Sequence, residues 1–397
     1  MKQEKGSAAE VLLVFLRLGC TSFGGPIAHL GYFQKELVER RGWCSETTLA
    51  EIIGISQSLP GPASSQTGFA LGILRAGWKG GLAAFTGFTL PSALLMLAFA
   101  YGHSLLSGDV GARLFHGLEI VAVAVVAQAV IAMRRALAPD RVRITVAVAA
   151  AAITLFAEPR FATLISIAAG AAAGLWLFRN DEPKATEHIP LPLSRTAGAV
   201  AATAFLTLLV LLPVLSHSLP VPGLGVLSAF YRSGALVFGG GHVVLPLLEN
   251  AVVTPGWVGH DSFLAGYGAA QALPGPLFSF GAYLGAVIRP SPSPLLYGLL
   301  GLTGIFAPGL LAMTAVLPFW AALRANRPVQ AALKGINASV VGVLIAALYR
   351  PLFVDTIRTA ADVLLAICAL SLLTVWKVQP WVVVLGVTAF SAFQHYL

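Results

Sequence analysis

Charge is what this chain lacks most. Asp, Glu, Lys and Arg make up 11% of its 397 residues, where a soluble domain carries about a quarter, so water is not its main solvent. Acidic residues are the scarcer kind, 17 against 25 basic ones. In a soluble chain the net charge of +8 would suggest a nucleic-acid partner. In a chain that is 57% hydrophobic it points instead to Lys and Arg in cytoplasmic loops that hold a membrane topology, and no nucleic acid is expected. Cysteine is nearly absent: Cys20, Cys44 and Cys368 stand alone. Without CxxC or Cys/His spacing they exclude a zinc site and a disulfide framework, and they read as small apolar residues. No Walker A, GxSxG elbow or HExxH sequence occurs, so direct ATP drive, a metal and a cofactor are not expected. His103, Asp109, His116 and His260 do not assemble into a catalytic cluster at one interface, which argues against a membrane-embedded enzyme.

Long apolar runs are abundant. Many windows of ~17–25 residues carry almost no charge, the length that crosses ~30 Å of hydrocarbon. Runs fall near 8–30, 48–74, 79–105, 112–136, 142–157 and 160–178, then a lone one at 196–216, then near 223–248, 260–287, 294–322, 330–350, 357–376 and 379–396. The opening "MKQEKGSAAEVLLVFLRLG" is not expected to be a cleaved signal, because Arg17 interrupts its apolar core and no small-residue cleavage site follows. "RNDEPKATEHIPLPLSR" is the clearest polar linker. The expected fold is an all-α polytopic membrane protein of about 13 spans. A first repeat occupies 1–178, a polar linker 179–195, a linking span 196–216 and a second repeat 217–397.

The two sets of six runs look like copies. "FLRLGCTSFGG" lies over "FYRSGALVFGG", Trp43 over Trp257, "QSLPGP" over "QALPGP", and "GGLAAFTGFTLPS" loosely over "YGLLGLTGIFAPG". Such self-similarity is an internal duplication. Six spans, one linking span and six spans turn the second copy upside down. Inverted repeats with Gly/Pro-interrupted segments at matching positions are the pattern of secondary transporters, whose sites lie where the repeats meet. Inside loops hold roughly twice as many Lys and Arg as outside loops when the N-terminus is cytoplasmic. Lys35, Arg40 and Arg41 argue the other way, and "GYFQKELVERRGW" reads as an amphipathic segment on the membrane surface.

Pro60-Gly61-Pro62 and Pro274-Gly275-Pro276 each end one helix and start another. Freed backbone groups are tolerated at membrane depth only when buried in protein or lining a polar cavity. A helix N-terminus made this way is an anion site. Ser64, Ser65, Gln66 and Thr67 make the first break the more polar cradle; the second, "LFSFG", offers Ser279. The plainer alternative is a pair of packing kinks. Arg17 and Arg232 sit in the first span of each copy, suited either to bidentate capture of an oxyanion or to snorkelling at an interface. With a helix end they supply about 2.5 positive equivalents, enough for a dianion. Gly24, Gly25, Gly239 and Gly240 break the same spans and allow close backbone approach. His29 and His242 follow as hydrogen-bond donors, proton acceptors or neutral structural residues. Glu51, Glu119 and Glu249 are proton-coupling candidates, each with a structural role as its alternative.

An Arg before Phe-Gly-Gly, then Gln-x-Leu-Pro-Gly-Pro, both repeated in a second half, resembles the chromate ion transporter family in its long two-repeat form, over nearly the whole chain. The resemblance implies export of chromate across the bacterial inner membrane, with chromate resistance, sulfate as competitor, and an ion or proton gradient as the drive. It carries the family's motif onto Arg17, Phe23, Gly24, Gly25, Gln57, Pro60, Gly61 and Pro62. The partners in the second half are Arg232, Phe238, Gly239, Gly240, Gln271, Pro274, Gly275 and Pro276. The apolar "LFSFG" is the weakest match. A sulfate or other oxyanion carrier is the alternative; the bilayer is the expected surroundings, and a homodimer is an assembly the sequence allows.

Overall fold

The computed structural model describes residues 6–103, 109–181, 193–219, 221, 223–239, 241–291 and 293–393. Gly240 and most of the polar linker, 182–192, lie outside the described residues. Among the described residues every regular element is helical. The first half contains α1 (Ala8–Thr21), α2 (Gly25–Phe33), α3 (Glu46–Ser58), α4 (Ala63–His103), α5 (Asp109–Leu137), α6 (Arg141–Phe156) and α7 (Pro159–Leu177). The lone run is α8 (Arg195–Ser218). The second half contains α9 (Leu224–Leu236), α10 (Val244–Leu248), α11 (His260–Ala272), α12 (Phe280–Val287) and α13 (Pro294–Val316). It continues with α14 (Trp320–Ala325), α15 (Arg327–Ala347), α16 (Val354–Thr356), α17 (Ala360–Thr374) and α18 (Pro380–Phe393). π-helical stretches follow α2, α10 and α15, at Gln34–Arg40, Glu249–Val253 and Leu348–Phe353.

Among the described residues five stretches are long and apolar enough to cross a membrane: Ala63–Gly102, Gly111–Leu137, Arg195–Ser218, Pro294–Ala325 and Arg327–Thr356. Large apolar side chains such as Leu94, Leu206, Val210, Leu364 and Leu385 face outward. A surface of that kind needs lipid rather than water. Serine oxygens start several helices, with Ser7, Ser45 and Ser194 each accepting an N–H from the first turn, the capping that unpaired helix donors require.

The single spans expected at 48–74 and 260–287 are instead hairpins. α3 has 13 residues, about 20 Å, too short to cross. Past Pro60-Gly61-Pro62 the chain reverses, so that Thr67 Oγ1 donates to Ser56 Oγ at 3.0 Å. A second reversal at Ala76 (φ −141°) and Gly77 (φ 64°, ψ −156°) folds 63–75 back on 78–103. A Cβ on Gly72 would strike the Gly80 carbonyl, so only hydrogen at both positions lets the arms touch. In the second half α12 turns back on α11, and Tyr283 Oη donates to the Ser262 carbonyl at 2.9 Å.

The halves interlock. α5 lies against α17 and α18, while its counterpart α15 lies against α6 and α7. Small residues make these crossings close: Gly335 meets Gly170 and Gly174, Gly342 meets Ala147, and Gly117 meets Thr388 and Ser391. One buried aromatic core gathers Phe15, Phe33, Trp43, Phe69 and Phe88 with Met313 and Trp320 from the other half. Another gathers Phe230, Phe263, Tyr267, Phe280 and Tyr283 with Ala122 and Val126 of α5.

Candidate functional site

Each Pro-Gly-Pro break is tied to the broken first helix of the other half. Gly61 (φ 117°) donates its N–H to the Val237 carbonyl at 2.7 Å, and Gly275 (φ 91°) donates to the Ser22 carbonyl at 2.9 Å. Val237 and Ser22 each stand directly before a Phe-Gly pair. These φ values lie where a side chain would be strained, and a Cβ on Gly61 would come within 2.7 Å of the Gly309 Cα. Fully buried Gln66 completes the joint by donating from Nε2 to the carbonyls of Pro60 and Gly309, both at 2.9 Å. At the matching place in the second break Ser92 and Ser279 share a hydrogen bond of 2.5 Å.

A cavity of about 430 Å³ opens where the first break meets α5 and the Gly-rich segment of the second half. Its polar lining is Ser56, Gln57, Gln128 and His242, beside the backbone of Gly24, Gly61, Gly239 and Gly241. Ala129, Ala132, Met133 and Ala136 of α5 form the apolar wall. His242 Nδ1 is 2.8 Å from Tyr267 Oη. The first-turn N–H groups of α2, whose N-cap is Gly24, are unpaired by helix geometry and favour an anion. Such a cavity, with a few polar groups on an apolar wall, suits a small ligand.

Of the residues singled out from sequence, Gly24, Gln57, Gly61, Gly239 and His242 meet at this cavity. Ser64, Ser65, Thr67 and His29 do not line it. They are buried behind it, with His29 Nδ1 3.3 Å from Ser64 Oγ. Among the described residues Ser22 Oγ, His29 Nε2, Ser65 Oγ, Gln66 Oε1 and Thr89 Oγ1 have no hydrogen-bond partner. Gly25 begins α2. Pro274, Gly275 and Pro276 are buried, and half-buried Gln271 lies outside the cavity.

The expectation of two arginines on a shared central site is corrected. Arg17 and Arg232 are both exposed. Arg17 lines a separate surface cavity of about 480 Å³ with Thr21, Tyr32, Lys35, Glu36, Glu39 and Arg40. The reason is helical period. α1 buries Val11, Val14, Phe15 and Leu18, and position 17 falls on the other face. α9 likewise buries Phe230, Tyr231, Ser233 and Gly234 around Arg232. Neither Arg17 nor Arg232 lines the cavity, whose polar lining is amide, hydroxyl, imidazole and backbone groups.

Glu51 is paired with Arg324 Nη1 and lies 3.4 Å from Trp320 Nε1. Glu119 is buried against His116, and Glu249 lies 3.9 Å from His260. Gln128 was passed over in reading the sequence. Its signal was a lone amide inside "AVVAQAVIAM", a run otherwise suited to lipid.

A helical multi-pass membrane protein whose halves meet at two stitched helix breaks around a polar cavity is thus defined. The chain belongs to the chromate transporter family, which it matches over residues 9–175 and 224–392. It is similar to the chromate transport protein of Pseudomonas aeruginosa, 30% identical over 336 residues that cover 83% of this chain and 77% of that one. It is also similar to the chromate transport protein of Cupriavidus metallidurans, 25% identical over 97% of this chain and 94% of that one. A third relative, the probable chromate transport protein of Synechococcus elongatus, is 27% identical over 85% of this chain and 83% of that one. No solved structure matches the chain.

Proposed function

We propose that this chain is a secondary active transporter that exports chromate, a tetrahedral oxyanion, across the bacterial inner membrane and so confers chromate resistance. The family and its relatives named for chromate transport support the substrate. The observation that carries the mechanism is the cavity at the first Pro-Gly-Pro break, whose wall is supplied by both halves. Gln57 and Gln128 amides, Ser56, His242 and backbone N–H groups are neutral or helix-end donors. They bind an oxyanion strongly enough to select it and weakly enough to release it.

The reciprocal Gly61–Val237 and Gly275–Ser22 bonds support two inverted repeats. Inverted repeats permit alternating access by exchanging the conformations of the halves. Here the halves differ. Gly268 of α11 is pressed against the Leu118 carbonyl of α5, whereas Gly54, its counterpart on α3, has open space where a Cβ would be. The opposite state arises when α3 docks on α15 and α11 leaves α5.

A sulfate or other oxyanion carrier of the same fold is the second reading, since the donors in the cavity recognise tetrahedral oxyanions generally. The deciding experiment is chromate uptake into everted membrane vesicles, with and without a proton gradient and with sulfate in competition. Gradient-dependent chromate accumulation is the expected result. Sulfate uptake without chromate uptake would transfer the assignment to the second reading.

A further inference from the structure

We propose that His116, Glu119 and Asp362 form the proton-binding station through which this chain couples oxyanion movement to a proton gradient; the proposal rests on the carrier reading above. Three carboxylates are candidates, and their surroundings separate them. Glu51 is already paired with Arg324 and lies beside Trp320. The Glu249 side chain is 19% exposed and lies 3.9 Å from His260. Glu119 has a side chain only 4% exposed and lies inside the apolar stretch Gly111–Leu137. His116 is the one basic group paired with it among the described residues, its Nδ1 3.5 Å away. The other ring nitrogen of His116 is 3.1 Å from Asp362 Oδ1.

The two carboxylates differ in how their charge is held. Asp362 accepts the backbone N–H of Arg358 at 3.0 Å and of Thr359 at 2.9 Å, closing the capping box of α17. Those fixed donors keep it an anion. Glu119 has no such donors. With a neutral imidazole the trio carries two buried negative charges, and one bound proton reduces them to one. Glu119 and Asp362 lie 3.5 Å and 3.1 Å from the two nitrogens of one ring, so the proton is assigned to the trio as a unit. The ring holds that proton, its Nε2 hydrogen-bonded to the Asp362 carboxylate at 3.1 Å and its Nδ1 facing Glu119 at 3.5 Å. His116 is 24% exposed while Glu119 is buried, which sets an entry side and an inner side.

Position on α5 links the station to the cavity. The Leu118 carbonyl is the point on which Gly268 of α11 is seated. The preceding residue of α11, Tyr267, holds His242 of the cavity. Gln128, also in the cavity lining, is nine residues or about 14 Å further along α5. Departure of α11 from α5 therefore changes the burial of Glu119 and the support of His242 in one movement.

Other charged groups stand on the elements packed around α5. They are Arg113 on α5 itself, Arg350, Asp355 and Arg358 before α17, and His260 and Asp261 at the start of α11. On α15, Lys334 is taken by Asp181 and Arg327 begins the helix. α18 carries no ionisable group among its described residues.

The test uses the full chain in proteoliposomes, with chromate as the probe and a trapped pH dye. Chromate counterflow, which exchanges substrate without a gradient, is compared with chromate-driven proton movement in wild type, Glu119→Gln and His116→Gln. The expected result is counterflow within about twofold of wild type and proton movement reduced by roughly tenfold or more, with a flattened pH profile. Wild-type proton coupling in Glu119→Gln would overturn the proposal and leave the carrier intact. Loss of counterflow in both variants would also overturn it, by showing that the trio is scaffold. Absence of counterflow in the wild type would remove the carrier reading itself.

Discussion

The amide of Gly61 donates to the carbonyl of Val237 at 2.7 Å, joining the helix break of one half to the opened first helix of the other. Its twin runs from Gly275 to Ser22 at 2.9 Å. Backbone groups freed by proline are thereby satisfied inside protein, which is the condition for irregular chain at membrane depth. The same two bonds hold the Gly-rich segments at the rim of the cavity.

Gly61→Ala is expected to weaken the fold as well as the site. The added methyl meets the Gly309 Cα, and a φ of 117° costs a side chain about 1–3 kcal/mol. Thermal unfolding in detergent should show a lower midpoint for Gly61→Ala, and a smaller drop for Gly275→Ala, whose new Cβ would be 3.0 Å from Ser92 Oγ. An unchanged midpoint in both would mean that the stitched breaks are dispensable.

The two Gln-x-Leu-Pro-Gly-Pro motifs should differ in transport. Gln57 lines the cavity and Gln271 does not. Gln57→Ala and Gln128→Leu are each expected to raise the KM for chromate by about tenfold, the loss of roughly one hydrogen bond to a charged ligand. Gln271→Ala should change it by less than about threefold. Equal effects in vesicle uptake would place the ligand elsewhere.

Arg17 and Arg232 face outward. Arg17→Ala and Arg232→Ala are expected to keep the KM for chromate within about threefold, because neither guanidinium reaches the cavity and exposed charges act weakly. Abolition of transport in well-inserted Arg17→Ala would return that residue to the substrate path.

Gly54 and Gly268 test the exchange of states. Gly268→Leu should misfold, because its side chain would strike the Leu118 carbonyl. Gly54→Leu has room in this state and should fold and bind chromate, yet block docking of α3 on α15. Slow-exchange counterflow with normal equilibrium binding is the expected signature. Wild-type counterflow in Gly54→Leu would exclude α3 docking from the cycle.

Much was legible in advance because it depends on local chemistry. Apolar length, proline breaks and the offset repetition are properties of short stretches, so α5 to α8 and both hairpin turns fall where the runs and motifs indicated. The reversal of each broken span was not legible. Proline specifies that a helix stops, but the direction of the next one is set by partners such as Ser56 for Thr67 and Gly309 for Gly61. The partnership of His116 with Asp362, 246 residues away, leaves no local trace in the sequence.

By itself, then, the sequence determined a helical, membrane-spanning chain with breaks at Pro60-Gly61-Pro62 and Pro274-Gly275-Pro276, because solvent preference and backbone limits act residue by residue. Tertiary structure alone decided which polar groups meet. It turned Arg17 and Arg232 outward and brought Gln57, Gln128 and His242 together from three distant segments. The physical reason is that facing is settled by whole-helix packing: each helix buries its most apolar face, and a side chain on the opposite face leaves the interior whatever its own chemistry.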